Sequence, residues 1–170
     1  MELKAAIRDI PDFPKAGILF RDITTLLKDK KAFKKAVDEL VRKYKAKKIA
    51  KIIAVESRGF ILGGALAHKL GAGFVPVRKK GKLPWKTSSV TYDLEYGTDT
   101  LEIHQDAIEP GERVLIIDDL LATGGTIKAV IDLVKQLQGK IIGVACLIEL
   151  TGLKGKEKIK GYPFFALIKY

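Results

Sequence analysis

Cysteine is nearly absent: Cys146 stands alone in 170 residues, so no intrachain disulfide can staple the fold. It lies within the apolar run Ile141-Ile142-Gly143-Val144-Ala145-Cys146-Leu147-Ile148, where a thiol behaves as a small core residue. Histidine is scarce too. With His68 and His104 far apart and one cysteine, no ligand set for a zinc site can be assembled from neighbouring positions. No apolar run approaches the roughly 18 residues that would span a bilayer. The first residues, Met1-Glu2-Leu3-Lys4-Ala5-Ala6-Ile7-Arg8-Asp9, mix charge into their apolar positions and lack the core of a secretory signal, so a soluble, cytoplasmic protein is expected.

Acidic residues are also in deficit. Lys and Arg number 31 against 20 Asp and Glu, a net charge of +11. That excess fits nucleic acid, an anionic membrane surface or a polyanionic small substrate, and charge alone does not choose among them. A Lys/Glu-rich surface is equally a solvated coat.

The apolar pattern is that of an α/β domain. Phe33, Ala36, Val37, Leu40, Val41 and Tyr44 recur at helical spacing within Lys31 to Tyr44. Ile49 to Val55 reads as a buried strand, Gly59 to Leu70 as a helix ended by Gly71 and Gly73, and Phe74 to Val77 as a short strand. Arg78-Lys79-Lys80-Gly81-Lys82-Leu83-Pro84 reads as an exposed basic loop. Ser88 to Glu95 and Thr98 to His104 then pair as an antiparallel hairpin around Tyr96-Gly97. Val114 to Ile117, Gly125 to Leu137 and Lys140 to Ile148 read as strand, helix and strand. Such alternation implies one domain with a mainly parallel central sheet flanked by helices. The first thirty or so residues and a strand at Phe164 to Ile168 are additions to it. There is no internal repeat and no long linker.

One segment carries chemistry. Val114 to Ile117 is followed by Asp118 and Asp119, then Leu120, Leu121, Ala122, Thr123, Gly124, Gly125 and Thr126. A buried strand delivers its end to the open side of the sheet, and the helix that follows presents free backbone N–H groups to an anion. Two glycines let the backbone approach a phosphate, and Thr123 and Thr126 add hydroxyls. Two carboxylates beside a phosphate repel it unless they serve hydroxyls or a metal, and a ribose supplies hydroxyls. A P-loop kinase is excluded, because no G-x-x-x-x-G-K-[S/T] occurs.

This segment resembles the PRPP-binding motif of the type I phosphoribosyltransferases, where PRPP is 5-phosphoribosyl-1-diphosphate. Other stretches resemble the adenine phosphoribosyltransferases within that family: Phe13-Pro14 with Gly17 to Ile23, Glu56 to Phe60, Arg78 to Pro84, Tyr92 to Gly97, and Glu149 to Gly155. The resemblance implies that Ala122, Thr123, Gly124, Gly125 and Thr126 hold the 5-phosphate and that Asp118 and Asp119 meet the ribose hydroxyls. It implies a pyrophosphate loop at Ser57 and Arg58 with a cis peptide before Ser57, and added positive charge from Arg78, Lys79 and Lys82. Leu83 to Thr91 would be a mobile loop covering the site, within a flexible stretch of about 78–104; Trp85 there departs from the family pattern.

For the base, the resemblance implies a hood formed by about residues 1–30, in which Leu19, Phe20 and Arg21 read and stack on adenine, with Leu121 on the other face. Read from pattern alone, Ile18, Leu19 and Phe20 are core residues. Glu95, beside Tyr96, matches the family's acid/base at the purine, and with Arg58 it makes the implied catalytic pair. The implied reaction transfers phosphoribosyl from PRPP to adenine, giving AMP and pyrophosphate. The cofactor would be Mg²⁺, held mainly by PRPP or pyrophosphate and water near Asp118 and Asp119, with no direct protein ligand set. A homodimer without nucleic-acid or membrane partners is the implied state. Two rivals stand beside this reading: a phosphoribosyltransferase for another purine, and a regulator that senses PRPP while binding nucleic acid.

Overall fold

The structure is a computed structural model that describes residues 2–94 and 96–170, so Glu95 lies outside the described residues. Its main sheet contains seven strands in the order β5-β6-β4-β3-β7-β8-β9. These are β3 (Lys51–Val55), β4 (Gly73–Lys79), β5 (Thr87–Asp93), β6 (Thr98–His104), β7 (Arg113–Leu121), β8 (Lys140–Glu149) and β9 (Phe164–Lys169). A second, two-stranded sheet pairs β1 (Arg8–Ile10) with β2 (Phe20–Asp22). The helices are α1 (Thr24–Lys28), α2 (Lys30–Tyr44), α3 (Arg58–Leu70) and α4 (Gly125–Gln136).

Strands β4, β3, β7, β8 and β9 run parallel, and β6 and β5 continue the sheet antiparallel beyond β4. Both faces are covered, and the period-two alternation of each strand divides its side chains between two cores. Ile52, Ala54, Leu115, Ile117, Ala145 and Leu147 pack with α2 and α3. Ile53, Val55, Val114, Ile116, Val144 and Cys146 pack with α4. Cys146 is fully buried, as its apolar run implied, and burial pushes its thiol pKa up.

From β3 the chain moves outward to β4 on one side, then returns to place β7 on the other. That reversal of strand order leaves a crevice beyond the carboxyl ends of β3 and β7, where open α/β sheets bind ligands. Helix α3 lies unusually close to those two strands. A Cβ built at Gly63 would stand 2.6 Å from the Ala54 Cβ, and one at Gly59 3.0 Å from Asp118 Oδ1. Gly59 and Gly63 are one turn apart, so they share the face that meets the sheet.

Differences from the sequence reading fall at element ends. Strand β7 extends to Leu121, so Asp118 and Asp119 are strand residues; beyond Ile117, where its pairing with β3 ends, β8 alone carries the strand on past its apolar core. Thr87 to Thr91 lie in β5, paired throughout with β6, within the stretch assigned by resemblance to a covering loop. The last strand, β9, joins the main sheet beside β8. Asp29 caps α2 by accepting from the Lys31 and Ala32 N–H groups at 2.9 and 2.8 Å. No described helix is long and apolar enough to cross a membrane.

Asp22 ties the small sheet to the body. It accepts from the Thr24 N–H at 2.9 Å and from Arg8 Nη2 at 2.5 Å, and these bonds, Thr24 foremost, lower its pKa from 3.8 to about 2. Because the folded-state pKa is depressed, the linked stability is present above pH 3.8 and lost as pH falls through 2. Asp22→Asn should therefore lower stability at pH 7 and flatten its fall between those values, measured by urea denaturation. Gly63→Ala should destabilise by about 1–3 kcal/mol through overpacking; an unchanged urea midpoint would show that α3 can withdraw freely.

Candidate active site

A cavity of about 540 Å³ fills the crevice, lined by the ends of β3 and β7, the start of α4 and the inner face of the β5-β6 hairpin. Ser57, Arg58, Lys79, Asp118, Asp119, Leu121 and the whole Ala122–Thr126 turn border it. The turn is held open by Gly124, whose φ of +86° is a conformation that favours glycine and that starts α4. The first N–H groups of α4 have no partner within the helix, and they sit at its positive end. Tyr92 packs over this turn, its hydroxyl 3.4 Å from Thr126 Oγ1.

Asp118 and Asp119 behave differently. Asp118 is enclosed, and burial, reinforced by the neighbouring Asp119 carboxylate, pushes its pKa well up. Its Oδ1 accepts the Asp119 backbone N–H at 2.8 Å. Asp119 instead accepts from Arg58 Nε at 2.6 Å, which joins the loop after β3 to the end of β7. The Glu56-Ser57 peptide preceding Arg58 is cis, as expected from the resemblance.

The basic residues around the crevice each face an acid, with Arg78 Nε buried beside Glu56 but not hydrogen-bonded to it. Lys79 Nζ is 2.9 Å from Asp99, Lys82 Nζ is 2.7 Å from Glu56 Oε2, and Arg78 Nε is 3.5 Å from Glu56 Oε1. The Lys79 N–H also donates to Glu56 at 2.6 Å. Burial alone would raise the Glu56 pKa, but Lys82, the Lys79 N–H and Arg78 together hold it below the usual range. Lys79 is raised and Asp99 lowered, each chiefly by their mutual hydrogen bond. Lys82 and Arg78 thus reach the crevice only through Glu56.

The N-terminal segment contributes from outside the cavity wall. The Arg58 guanidinium lies 5.4 Å from the Phe20 ring centroid, and Phe13 packs edge-on to Phe20 at 5.2 Å. Phe20 is therefore at the mouth of the crevice, with Leu19 exposed beside it. Arg21 points elsewhere: it pairs with Asp9 and stacks on Tyr170 at 3.8 Å. Tyr96 is 80% exposed, with Lys15 Nζ 5.3 Å from its ring, so the N-terminal segment reaches the tip of the hairpin. Leu94 borders the cavity, and Glu95, next to it, is outside the described residues. Among the described residues, no group of three or more His, Cys, Asp or Glu side chains could enclose a metal ion.

Sequence reasoning missed Asp99, Glu56 as a side chain, and Tyr92. Asp99 and Tyr92 face each other across the hairpin in register, and the period-two pattern of its arms could have placed them together.

A parallel sheet whose central strand ends in paired acids and a glycine turn opening a helix defines an α/β enzyme domain built to hold a phosphate group. The phosphoribosyl transferase domain family matches residues 24–168. The chain belongs to that family, among the adenine phosphoribosyltransferases. It is 59% identical to the adenine phosphoribosyltransferase of Brachyspira hyodysenteriae, with both chains covered in full. The crystal structure of the Thermoanaerobacter pseudethanolicus enzyme is 54% identical and superposes with a TM-score of 0.96 over 99% of this chain and 98% of that one. The Saccharomyces cerevisiae enzyme, crystallised with an imino-altritol bisphosphate and adenine, is 43% identical, with a TM-score of 0.92 over 98% and 96%.

The Lys79–Asp99 pair yields a test. Asp99→Asn frees Lys79 for an incoming phosphate, so pyrophosphate should inhibit the variant about two- to fivefold more tightly, the range of an exposed ion pair. Unchanged inhibition would show that Lys79 does not face that anion.

Proposed function

We propose that this chain transfers the 5-phosphoribosyl group of PRPP to adenine, forming AMP and pyrophosphate as a purine salvage enzyme. The observation that carries this reading is the crevice between β3 and β7, where the Ala122–Thr126 turn, Asp118, Asp119 and the cations Arg58 and Lys79 border one cavity. Full-length similarity to adenine phosphoribosyltransferases supports the base.

In this reading the 5-phosphate sits on the N–H groups and hydroxyls of Ala122 to Thr126, at the positive end of α4. Asp118 and Asp119 meet the ribose hydroxyls. Ser57, Arg58 and Lys79 take the diphosphate, with Arg78 and Lys82 released to it as Glu56 lets them go. The C1–O bond of PRPP breaks as a ring nitrogen of adenine bonds to C1, and the diphosphate leaves with the electron pair. Positive charge grows on the ribose during this exchange, so catalysis rests on positioning and on charge placed in advance. Arg58 balances the leaving diphosphate, and Glu95 manages the proton at the imidazole side of the base.

Phe20 is the stacking platform for adenine, with Leu121 opposite and Leu19, Arg21 and Tyr96 flanking the base. Residues of about 1–30 then form the hood, and in the stretch of about 78–104 the segment between β4 and β5 opens and closes over the site, carried by the paired β5-β6 hairpin. Arg21 serves from its perch on Tyr170, through its backbone.

Mg²⁺ fits this site only as an ion shared with substrate. Asp119 is committed to Arg58, and Asp118 is enclosed beside it, so the described residues do not supply the oxygen ligands for a cage. Held mainly by the substrate and water, with Asp118 and Asp119 as the nearest protein carboxylates, Mg²⁺ would supply charge neutralisation at the leaving group. A homodimer in the cytoplasm is the proposed state.

Competing adenine with hypoxanthine, guanine and xanthine in the presence of PRPP and Mg²⁺ tests the assignment. AMP should be the dominant product; a different nucleotide, or none, would contradict it. Glu95→Gln should lower kcat by about 10²–10⁴, the usual scale of general acid–base catalysis, with little change in PRPP affinity. An unaltered kcat would remove Glu95 from the chemistry.

A further inference from the structure

The Glu149 to Gly155 segment has no part in the reaction described above, yet it touches the phosphate turn directly. Strand β8 ends at Glu149, in register with Leu121, and the Leu150 N–H donates to the Leu121 carbonyl at 3.0 Å. The chain then reverses through a 3-10 turn at Thr151–Leu153 and a left-handed Lys154, and enters a second 3-10 turn at Gly155–Ile159.

Gly155 is buried against the turn with nothing between the two backbones. A Cβ at Gly155 would lie 2.3 Å from the Ala122 carbonyl oxygen, 3.0 Å from Leu121 Cγ and 3.1 Å from the Gly124 nitrogen. A Cβ at Gly124 would lie 2.5 Å from the Gly155 carbonyl oxygen. The contact is reciprocal, so neither backbone can move toward the other.

The adjacent Lys156 fastens this contact to the sheet. Its Nζ is 3.1 Å from Glu149 Oε1, and 5.3 Å from the centroid of the Phe164 ring on β9. The Glu149 side chain is only 6% exposed, and its other oxygen is buried without a partner. A carboxylate buried in this way is costly unless paired, which makes Lys156 the group that keeps it there and Glu149 the anchor that draws the turn onto β8.

We propose that residues 154–156 form a backstop for the phosphate turn, with Gly155 as the spacer that sets where Ala122 to Gly125 lie and the Glu149–Lys156 pair as its latch. These are positioning residues: none borders the cavity, and each acts through the turn. The proposal rests on the reading of Ala122 to Thr126 as the 5-phosphate site. Its signature is an effect on one end of the substrate, since the cations at the diphosphate end, Arg58 at the start of α3 and Lys79 on β4, make no contact with the latch.

Gly155→Ala, Glu149→Gln, Lys156→Met and Lys156→Arg test it in the full chain. Dissociation constants for ribose 5-phosphate and for pyrophosphate, by calorimetry, are set beside the KM values for PRPP and adenine. Gly155→Ala should weaken ribose 5-phosphate and raise the KM for PRPP about tenfold or more, because displacing a binding group by an ångström carries losses of that order. Pyrophosphate binding and the adenine KM should stay within about twofold, less than a lost hydrogen bond would cause. Lys156→Met and Glu149→Gln should show the same asymmetry at about threefold, in the range of one ion pair, and Lys156→Arg should restore wild-type values. If Gly155→Ala does not fold, as judged by its melting transition, the Lys156 and Glu149 variants decide. Unchanged ribose 5-phosphate affinity in folded variants, or equal weakening at both ends, would overturn the proposal. Wild-type protein that made AMP but bound no ribose 5-phosphate would overturn it as well, whereas wild-type protein that made no AMP would instead overturn the functional reading on which it rests.

Discussion

Helix α3 can approach β3 and β7 only because Gly59 and Gly63 present no side chain to them, and the rest of the site depends on that approach. With the helix drawn in, Arg58 at its start reaches Asp119 at 2.6 Å, and the two loops that make the crevice become one unit. A cation at a helix N-terminus is electrostatically misplaced on its own. Here the carboxylate of a different strand compensates it, and the same arrangement leaves a guanidinium beside the cavity, ready to exchange an acid for a phosphate oxygen.

The other cations follow the same pattern. Lys79, Lys82 and Arg78 face acids supplied by the protein, Asp99 and Glu56, which keeps a basic crevice from repelling itself before an anion arrives. Opposite them, a glycine turn and helix α4 present neutral donors for a phosphate. The site is thus polarised along its length, one end made of side-chain charge and the other of backbone. A molecule with phosphate groups at both ends of a ribose matches that polarity.

Much of this was legible in the sequence. The strand, acids and glycine turn from Val114 to Thr126 announce themselves because each part is local and its chemistry lies in adjacent residues. Strand-helix alternation likewise gave the parallel sheet, since both faces must be covered. What was not legible depends on contacts between distant segments. The order of strands that places β3 beside β7, the pairing of Lys79 with Asp99 across a hairpin, and the turn of Arg21 away toward Tyr170 all require the third dimension. Phe20 shows the boundary well: by pattern alone it is a core residue, the resemblance makes it the platform for the base, and the Arg58 guanidinium at 5.4 Å sets its ring beside the crevice.

The most direct measurement is a crystal structure of the protein with AMP bound. The account predicts the 5-phosphate on the backbone of Ala122 to Thr126, the ribose hydroxyls facing Asp118 and Asp119, and the adenine ring against Phe20. A phosphate found instead on Arg78, Lys79 and Lys82, with the base away from Phe20, would contradict it.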